Sequence, residues 1–141
     1  RKYANLHKTV KLGEFVKIDR NVFVGEKTYI NSYSQIFSSS DASVKIGNNC
    51  AIGYNVHIKA RTHLKTRPTM IAGVEHERVE RKIIIGNNVW IGDNAFIKEG
   101  IELGHHCIVG ANAVVTKSFP PYSIIAGVPA KKIGSVEIEK E

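Results

Sequence analysis

The sequence has few cysteines, little methionine or tryptophan, and no long apolar run. Its 141 residues include two cysteines, Cys50 and Cys107, which is too few for the disulfide framework of a small secreted domain. We therefore expect both thiols to be reduced and buried in a cytoplasmic protein. No apolar segment approaches the ~20 residues of a membrane-spanning helix, so no membrane span is expected. The chain begins at Arg1 rather than at methionine and has no signal-like hydrophobic stretch there, and whether the natural N-terminus is missing stays open.

Acidic residues are also scarce relative to basic ones. The chain has 13 aspartates and glutamates against 20 lysines and arginines, and its formal net charge is +7. Such a balance favours anionic partners. The basic residues are spread along the chain and form no compact block, so we expect a phosphorylated small molecule rather than nucleic acid. A composition of 43% apolar and 23% charged residues is ordinary for one folded domain.

What the sequence does have is a repeat in which an aliphatic residue recurs every six positions. A turn-prone Gly, Asn or Asp follows most of the repeating aliphatic residues, and a small or β-branched residue, including both cysteines, usually lies four positions after them. Neither the spacing of a helix nor the alternation of an ordinary strand fits this period, and a chance alternation in a β-sandwich would not persist so long. The period predicts an all-β parallel β-helix with three short strands per coil and the aliphatic residues inside. These aliphatic residues are Leu12, Ile18, Val24, Ile30 and Ile36, then Ile46, Ile52 and Ile58, then Ile85, Ile91, Ile97, Leu103, Val109 and Val115.

The period is interrupted twice. A short bulge, Ser38 to Asp41, lies between two repeats, and a larger polar excursion runs from Ala60 to Lys82. Long loops in compact domains are usually functional or disordered. We therefore predict one domain over 1–141, built from coils at 10–59, an extruded catalytic loop at 60–82, coils at 83–118 and a C-terminal segment at 119–141.

The position just before each inward aliphatic residue should point outward, and it is often apolar. Repeated outward apolar residues form a patch, and such patches mark interfaces. A three-sided prism that packs about a threefold axis forms a closed ring, so we expect a homotrimer. The outward residues are Phe23, Tyr29, Ala51, His57, Trp90, Phe96, Ile108 and Val114.

The segment from Ile83 to Ile133 carries the motifs VWIG, VGANAVVTK, a Pro-Pro pair and AGVPAK. It resembles the C-terminal half of hexapeptide-repeat acyltransferases, and its pattern is most like the galactoside and maltose O-acetyltransferase group. Together with the repeats, the resemblance extends from about Leu12 to Ile133. It implies that the β-helix is left-handed, which the period alone does not indicate. It also implies transfer of an acetyl group from acetyl-CoA to a sugar or polysaccharide hydroxyl, without a metal, at sites between the subunits.

The resemblance places a catalytic histidine at the start of the extruded loop, where this chain has His63. The family commonly has proline after this histidine, whereas this chain has leucine. Imidazole can take the proton of an acceptor hydroxyl at neutral pH, so a general base is the expected role. His76 is the alternative on the same loop, and His57 could line the cleft or an interface. His105 and His106 fall on turn positions, where solvated side chains are expected.

The same resemblance implies contacts with coenzyme A. The backbone N–H of Asp93 is a candidate oxyanion donor near the thioester. Ala111, Thr116 and Lys117 would contact the pantetheine and phosphates, and Lys131 would meet the nucleotide end.

The acceptor side of the site is implied by fewer residues. Asp41 matches the place of an acidic sugar-binding residue, although an aspartate that only shapes a turn is an alternative. Tyr33 falls near a family asparagine and is a further candidate for acceptor binding. Trp90 would line the acyl site or lie in the trimer interface.

Other classes of protein fit the sequence less well. Zinc carbonic anhydrases share the prism, but they need two histidines five positions apart, a spacing that is missing here. A non-catalytic binding scaffold would not need the loop histidine and the complete C-terminal motifs. A serine acetyltransferase would carry a DRHP-type segment where this chain reads VERKIII. N-acetylation of an aminosugar or nucleotide-aminosugar stays open beside O-acetylation.

Overall fold

The computed structural model describes residues 5–63 and 78–138, and these ranges contain eighteen strands and no helix. None of the described residues forms a helix that could span a membrane. The first face contains β1 (Lys11–Leu12), β4 (Tyr29–Ile30), β7 (Ala51–Ile52), β12 (Trp90–Ile91), β15 (Ile108–Val109), β17 (Ser123–Gly127) and β18 (Ala130–Ser135). The second face contains β2 (Lys17–Ile18), β5 (Gln35–Phe37), β8 (His57–Lys59), β13 (Phe96–Ile97) and β16 (Val114–Val115). The third face contains β3 (Val22–Val24), β6 (Val44–Ile46), β11 (Ile83–Ile85) and β14 (Glu102–Leu103), and β9 (Arg61–His63) pairs separately with β10 (Arg78–Glu80).

The chain visits the three faces in turn and winds as a parallel β-helix, as the period of six predicts. Each inward aliphatic residue pairs with its counterpart in the next coil, for example Ile30 with Ile52 and Ile52 with Ile91. The side chains of these three isoleucines are fully buried. Stacking of like residues therefore fills the core, and burial of each isoleucine contributes on the order of 2 kcal/mol.

Both cysteines lie in this core and form no disulfide, which confirms their predicted burial. The thiol of Cys50 faces the carbonyl oxygen of Gly86 at 3.1 Å, and the thiol of Cys107 faces that of Pro120 at 3.2 Å. Burial raises the pKa of both thiols. Because the thiolate is the reactive form, both cysteines are structural rather than catalytic.

Three edges connect the faces, and we number them in chain order. The first edge joins the first and second faces, the second edge joins the second and third faces, and the third edge joins the third and first faces. Turns on the first and third edges repeat regularly. Each turn has one residue with a positive φ, in the left-handed backbone conformation that asparagine adopts more readily than most other residues. These residues are Phe15, Tyr33, Asn55, Asn94 and Asn112 on the first edge, and Lys27, Asn49, Asn88, His106 and Tyr122 on the third.

The second edge is the irregular one, because both interruptions of the period fall on it. Backbone hydrogen bonds nevertheless continue across the loop: Ala60 N–H donates to Phe37 O at 2.9 Å, and Arg81 N–H donates to Ala60 O at 2.9 Å. Gly100 N–H then donates to Arg81 O at 3.2 Å. The extruded loop therefore leaves the coil at Ala60 and rejoins it at Arg81, and a backbone hydrogen bond joins these two residues. Strands β9 and β10 form its antiparallel neck, and residues 64–77 lie outside the described part of the chain.

Candidate active site

The bulge on the second edge carries Asp41, one of the two predicted acceptor-binding residues. Ser39 and Ala42 close the bulge by exchanging backbone hydrogen bonds of 2.9 and 3.3 Å. The Asn21 amide donates to Ser39 O at 2.8 Å and ties the bulge to the coil before it. Asp41 is exposed at the tip of this closed turn. Its carboxylate is therefore held on the same edge as the extruded loop, where an acceptor could reach it.

Arg61, in the neck of the loop, joins three successive coils. Its Nε donates to Ser38 O at 3.0 Å, and its guanidinium lies 5.3 Å from the centre of the Phe37 ring. A terminal nitrogen of Arg61 is 3.6 Å from Asp19 Oδ2, which also accepts the Ser38 N–H at 2.8 Å. The sequence did not single out Arg61, because these contacts connect residues from three different coils. The arginine fixes the start of β9 against the bulge.

Replacing Arg61 by glutamine is expected to lower the free energy of unfolding by about 1–2 kcal/mol. The change removes a hydrogen bond and a cation–π contact, while the ion pair with Asp19 is partly exposed and contributes little. Urea unfolding of the two proteins measures the difference. Arg20→Gln, which alters an exposed arginine on the same edge, is the control and should change the free energy by less than about 0.5 kcal/mol. Equal effects of the two substitutions would contradict the role given to Arg61.

The backbone of His63 ends β9 and pairs with Arg78, so the predicted general base belongs to the second edge. Its side chain is outside the described part of the structure, and so is the whole of His76. Thr116 and Lys117 are exposed on the same edge, further along the coil axis. The Lys117 ammonium lies 5.5 Å from the centre of the Phe119 ring. The second edge thus carries Asp41, the backbone of His63, and two of the predicted coenzyme contacts.

A buried carboxylate on the second edge also escaped the sequence interpretation. Glu99 is 8% exposed, and its Oε1 lies 2.7 Å from the Lys98 ammonium. A buried charge needs such a partner, because desolvation would otherwise strongly disfavour it. The only signal in the sequence was an acidic residue at a turn position, where polar residues are common in every coil.

The first edge carries Asp93, Ala111 and Tyr33. The Asp93 carboxylate accepts the backbone N–H of Tyr54 at 2.9 Å. The backbone N–H of Asp93 itself, on an exposed turn, has no acceptor among the residues that the structure describes. This N–H group is therefore available to a ligand. Tyr33, two coils away, is exposed and stacks on Phe15 with 5.5 Å between ring centres.

Trp90 and Lys131 lie on the first face. Trp90 is 57% exposed and is flanked by its strand partners Ala51 and Ile108. Lys131 is exposed in β18, where it pairs with Ala126 beside the last turn of the first edge. Both side chains can contact a second molecule. The exposure of Trp90 is compatible with either predicted role, lining the acyl site or lying in the trimer interface.

The second face separates the two groups of predicted site residues. Its outward row includes Gln35, His57, Phe96 and Val114, which are all half-buried. His57 Nε2 lies 3.1 Å from Asn55 Oδ1, and desolvation by burial, aided by the charge of Lys59, lowers the pKa of the His57 imidazole. Neutral His57 is therefore favoured on this face. Within the part of the chain that the structure describes, the site residues of the first and second edges are therefore on opposite sides of this face.

Across residues 5–63 and 78–138, no group of three or more His, Cys, Asp or Glu side chains is arranged to hold a metal ion.

Comparison with known proteins assigns the fold to a family. The sequence model described as bacterial transferase hexapeptide (six repeats) matches residues 82–117. A chloramphenicol acetyltransferase of Escherichia coli is 35% identical over 116 residues, which make up 82% of this chain and 55% of that protein. The chain is thus similar to hexapeptide-repeat transferases, both in the segment that the sequence model matches and along most of its length. The chain spans about half the length of two chloramphenicol acetyltransferases that it matches, 51% and 55%.

Solved structures show the same likeness. An acetyltransferase of Vibrio cholerae complexed with acetyl coenzyme A superposes with a TM-score of 0.81 at 25% identity, over 94% of this chain and 70% of that one. A maltose O-acetyltransferase of Clostridium difficile superposes with a TM-score of 0.80 at 28% identity, over 93% and 68%. The predicted left-handed β-helix and the resemblance to the galactoside and maltose O-acetyltransferase group are confirmed.

Proposed function

We propose that this protein is an acetyltransferase that moves an acetyl group from acetyl-CoA to a hydroxyl of a sugar or polysaccharide. The observation that carries the proposal is the likeness, along nearly the whole chain, to an acetyltransferase complexed with acetyl coenzyme A. The net charge of +7 suits a donor that carries several phosphates. The likeness to a maltose O-acetyltransferase favours a sugar hydroxyl as the acceptor.

His63 acts as the general base in this proposal. Its imidazole takes the proton of the acceptor hydroxyl while the hydroxyl oxygen attacks the carbonyl carbon of the thioester. The negative charge that develops on the carbonyl oxygen is stabilised by the backbone N–H of Asp93. When the carbon–sulfur bond breaks, the protonated His63 returns the proton to the departing sulfur. No covalent bond to the protein is needed, because the thioester is already activated.

The first edge is the proposed track for the arm of acetyl-CoA. Asp93, Ala111 and the end of the edge beside Lys131 follow one another along successive coils, roughly 5 Å apart per coil. An extended ligand with its thioester at Asp93 would therefore bring its phosphates towards the Lys131 ammonium. Thr116 and Lys117 project from the second edge, so in this proposal they reach the same ligand from a neighbouring subunit.

A homotrimer completes the proposed site. The first edge offers the free N–H of Asp93, and the second edge offers Asp41 and the loop with His63, with the second face between them. If the second face of each prism points to a threefold axis, the second edge of one subunit adjoins the first edge of the next. The half-buried row containing His57 and Phe96 would then be covered by the other subunits.

The experiment for this proposal is a thiol-release assay with acetyl-CoA. Free sugars, polysaccharide fragments, aminosugars and chloramphenicol are supplied in turn, and each product is identified by mass. We expect an O-acetylated sugar and no modified amine. Acetylation of an aminosugar nitrogen would support the N-acetyltransferase alternative instead, and acetylation of chloramphenicol alone would replace the sugar with that acceptor. An absence of thiol release with every acceptor would leave a binding scaffold and refute the enzymatic proposal.

Light scattering coupled to size-exclusion chromatography tests the trimer independently of activity. We expect a particle of three times the 15.6 kDa chain mass. A stable monomer with acetyltransferase activity would contradict the proposal that the site lies between subunits.

A further inference from the structure

Most regular turns of the β-helix are linked by the same side-chain hydrogen bond. In these turns, the donor is the backbone N–H of the residue two positions after an inward aliphatic residue. The acceptor is the side chain of the residue at the same position in the next coil. On the third edge, Asn48 Oδ1 accepts Glu26 N–H at 2.9 Å, Asn87 Oδ1 accepts Asn48 N–H at 2.8 Å, and His105 Nδ1 accepts Asn87 N–H at 2.7 Å. On the first edge, Ser32 Oγ accepts Glu14 N–H at 2.9 Å, and Asp93 Oδ1 accepts Tyr54 N–H at 2.9 Å.

Where two regular turns of the described residues stack on each other, this ladder lacks an acceptor at three places; the N–H of Ala111 also has none, because strand β17 rather than a turn lies beyond it. Tyr54 faces the N–H of Ser32, Pro121 faces that of His105, and Ala111 faces that of Asp93, and none of these three side chains accepts it. The gap at Ala111 differs from the other two, because the facing side chain is a single methyl group. Asp93 and Ala111 are both exposed, so the N–H of Asp93 opens to solvent through this gap.

We propose that Ala111 is a positioning residue whose lack of a side-chain acceptor keeps the Asp93 N–H free for the reaction. The inference rests on the proposed function, in which that N–H stabilises the charge developing on the thioester oxygen. An oxyanion donor must be unoccupied and already oriented when the charge appears. A serine or asparagine at position 111 would occupy this donor, as the equivalent side chains do in other coils.

The bond that Ala111 avoids can form in this fold with a small side chain. Ser32 stands at the same turn position on the same edge, and its hydroxyl reaches the N–H of Glu14 at 2.9 Å. The virtual Cβ of Gly92 would lie 2.6 Å from Ala111 N, so the two turns are as closely stacked as those at Gly13 and Ser32, where the distance is 2.4 Å. A serine at position 111 should therefore find the N–H of Asp93 within reach.

The test is the variant Ala111→Ser, measured for stability and for kinetics. We expect the melting temperature to be unchanged or to rise by roughly 2 °C, since one hydrogen bond is added. We expect kcat to fall about 10²-fold, the effect of removing one oxyanion donor, with little change in KM for acetyl-CoA. A crystal structure of the variant should have the serine hydroxyl within hydrogen-bonding distance of Asp93 N.

Two control variants separate hydrogen bonding from bulk and from stabilisation. Ala111→Val adds volume without an acceptor; because Ala111 also lies on the proposed acetyl-CoA track, this bulk should raise KM for acetyl-CoA, while kcat at saturating acetyl-CoA should stay far above that of Ala111→Ser. Tyr54→Ser places the same acceptor opposite the N–H of Ser32 and should leave kcat within about twofold. An equal loss of kcat in the Ala111→Ser and Ala111→Val variants would overturn the inference. So would full activity of Ala111→Ser, in a crystal structure of which the new hydroxyl accepts the N–H of Asp93. Wild-type protein without any acetyltransferase activity would refute the proposed function, while the stability and structure of Ala111→Ser would still report whether the gap can be filled.

Discussion

The variant His63→Ala is expected to lose about 10²–10⁴-fold in kcat/KM for the acceptor. Without the imidazole, the acceptor hydroxyl must lose its proton to water as it attacks the thioester. Binding of acetyl-CoA should be largely retained, because the proposed donor contacts are on the first edge and on Lys117 and Lys131. The measurement is steady-state thiol release with the best acceptor, together with the affinity for acetyl-CoA by calorimetry.

The pH dependence of the same reaction is the second readout for His63. Only the neutral form of an imidazole can accept a proton. The wild-type rate should therefore fall as the pH drops and the imidazole of the base becomes protonated, and His63→Ala should lack this acidic limb. The control is His105→Asn, which replaces an exposed histidine on the third edge by the residue that serves the same turn role at Asn48 and Asn87. Near-normal turnover by His63→Ala would exclude it as the base and direct attention to His76.

Much of the fold follows from the sequence, because a period of six leaves one geometry for the inward residues. Ile30, Ile52 and Ile91 were expected to stack, and the structure pairs them in successive coils. Both interruptions of the period mark the irregular second edge. The hand of the coil came from the resemblance rather than from the spacing, since the period is the same for either hand.

The second edge could be predicted only in part. The period indicated where the bulge and the loop leave the coil, but it carried no information about what holds them. Arg61 contacts Phe37, Ser38 and Asp19 through the stacking of coils, so residues far apart in sequence become neighbours. Glu99 was missed for the same reason, because its burial depends on the packing of the edge rather than on a motif.

The candidate site was predicted as a set of residues, not as an arrangement. Motifs singled out Asp93, Ala111 and His63, but no motif indicates that the first two lie on one edge and the third on another. That division depends on which turn each residue occupies in the coil. The significance of Ala111 likewise requires the turns above it, since only stacked coils reveal that most facing positions carry an acceptor and this one does not.

The largest effect on stability is expected from the inward residue Ile46. This isoleucine is 3% exposed and stacks between Val24 and Ile85 on the third face. The variant Ile46→Asp should lower the free energy of unfolding by about 3 kcal/mol or more, because an unpaired carboxylate would be buried. We expect this variant to be unfolded at room temperature. Lys45→Asp introduces the same charge at the adjacent outward and exposed position, where it should cost less than about 1 kcal/mol despite losing the contact of Lys45 with Phe23.

A graded series keeps this prediction measurable if Ile46→Asp does not fold. Ile46→Val should lower the free energy of unfolding by about 0.5–1.5 kcal/mol and Ile46→Ala by about 2–5 kcal/mol, since each removes buried methyl or methylene groups from a stacked column. Urea unfolding followed by circular dichroism gives both values. A stable Ile46→Asp protein, or a greater loss in Lys45→Asp than in Ile46→Ala, would contradict the assignment of inward and outward positions. The stacking of like side chains within each column makes the effect large, because the neighbours above and below cannot move inward without breaking the strand pairs that hold them.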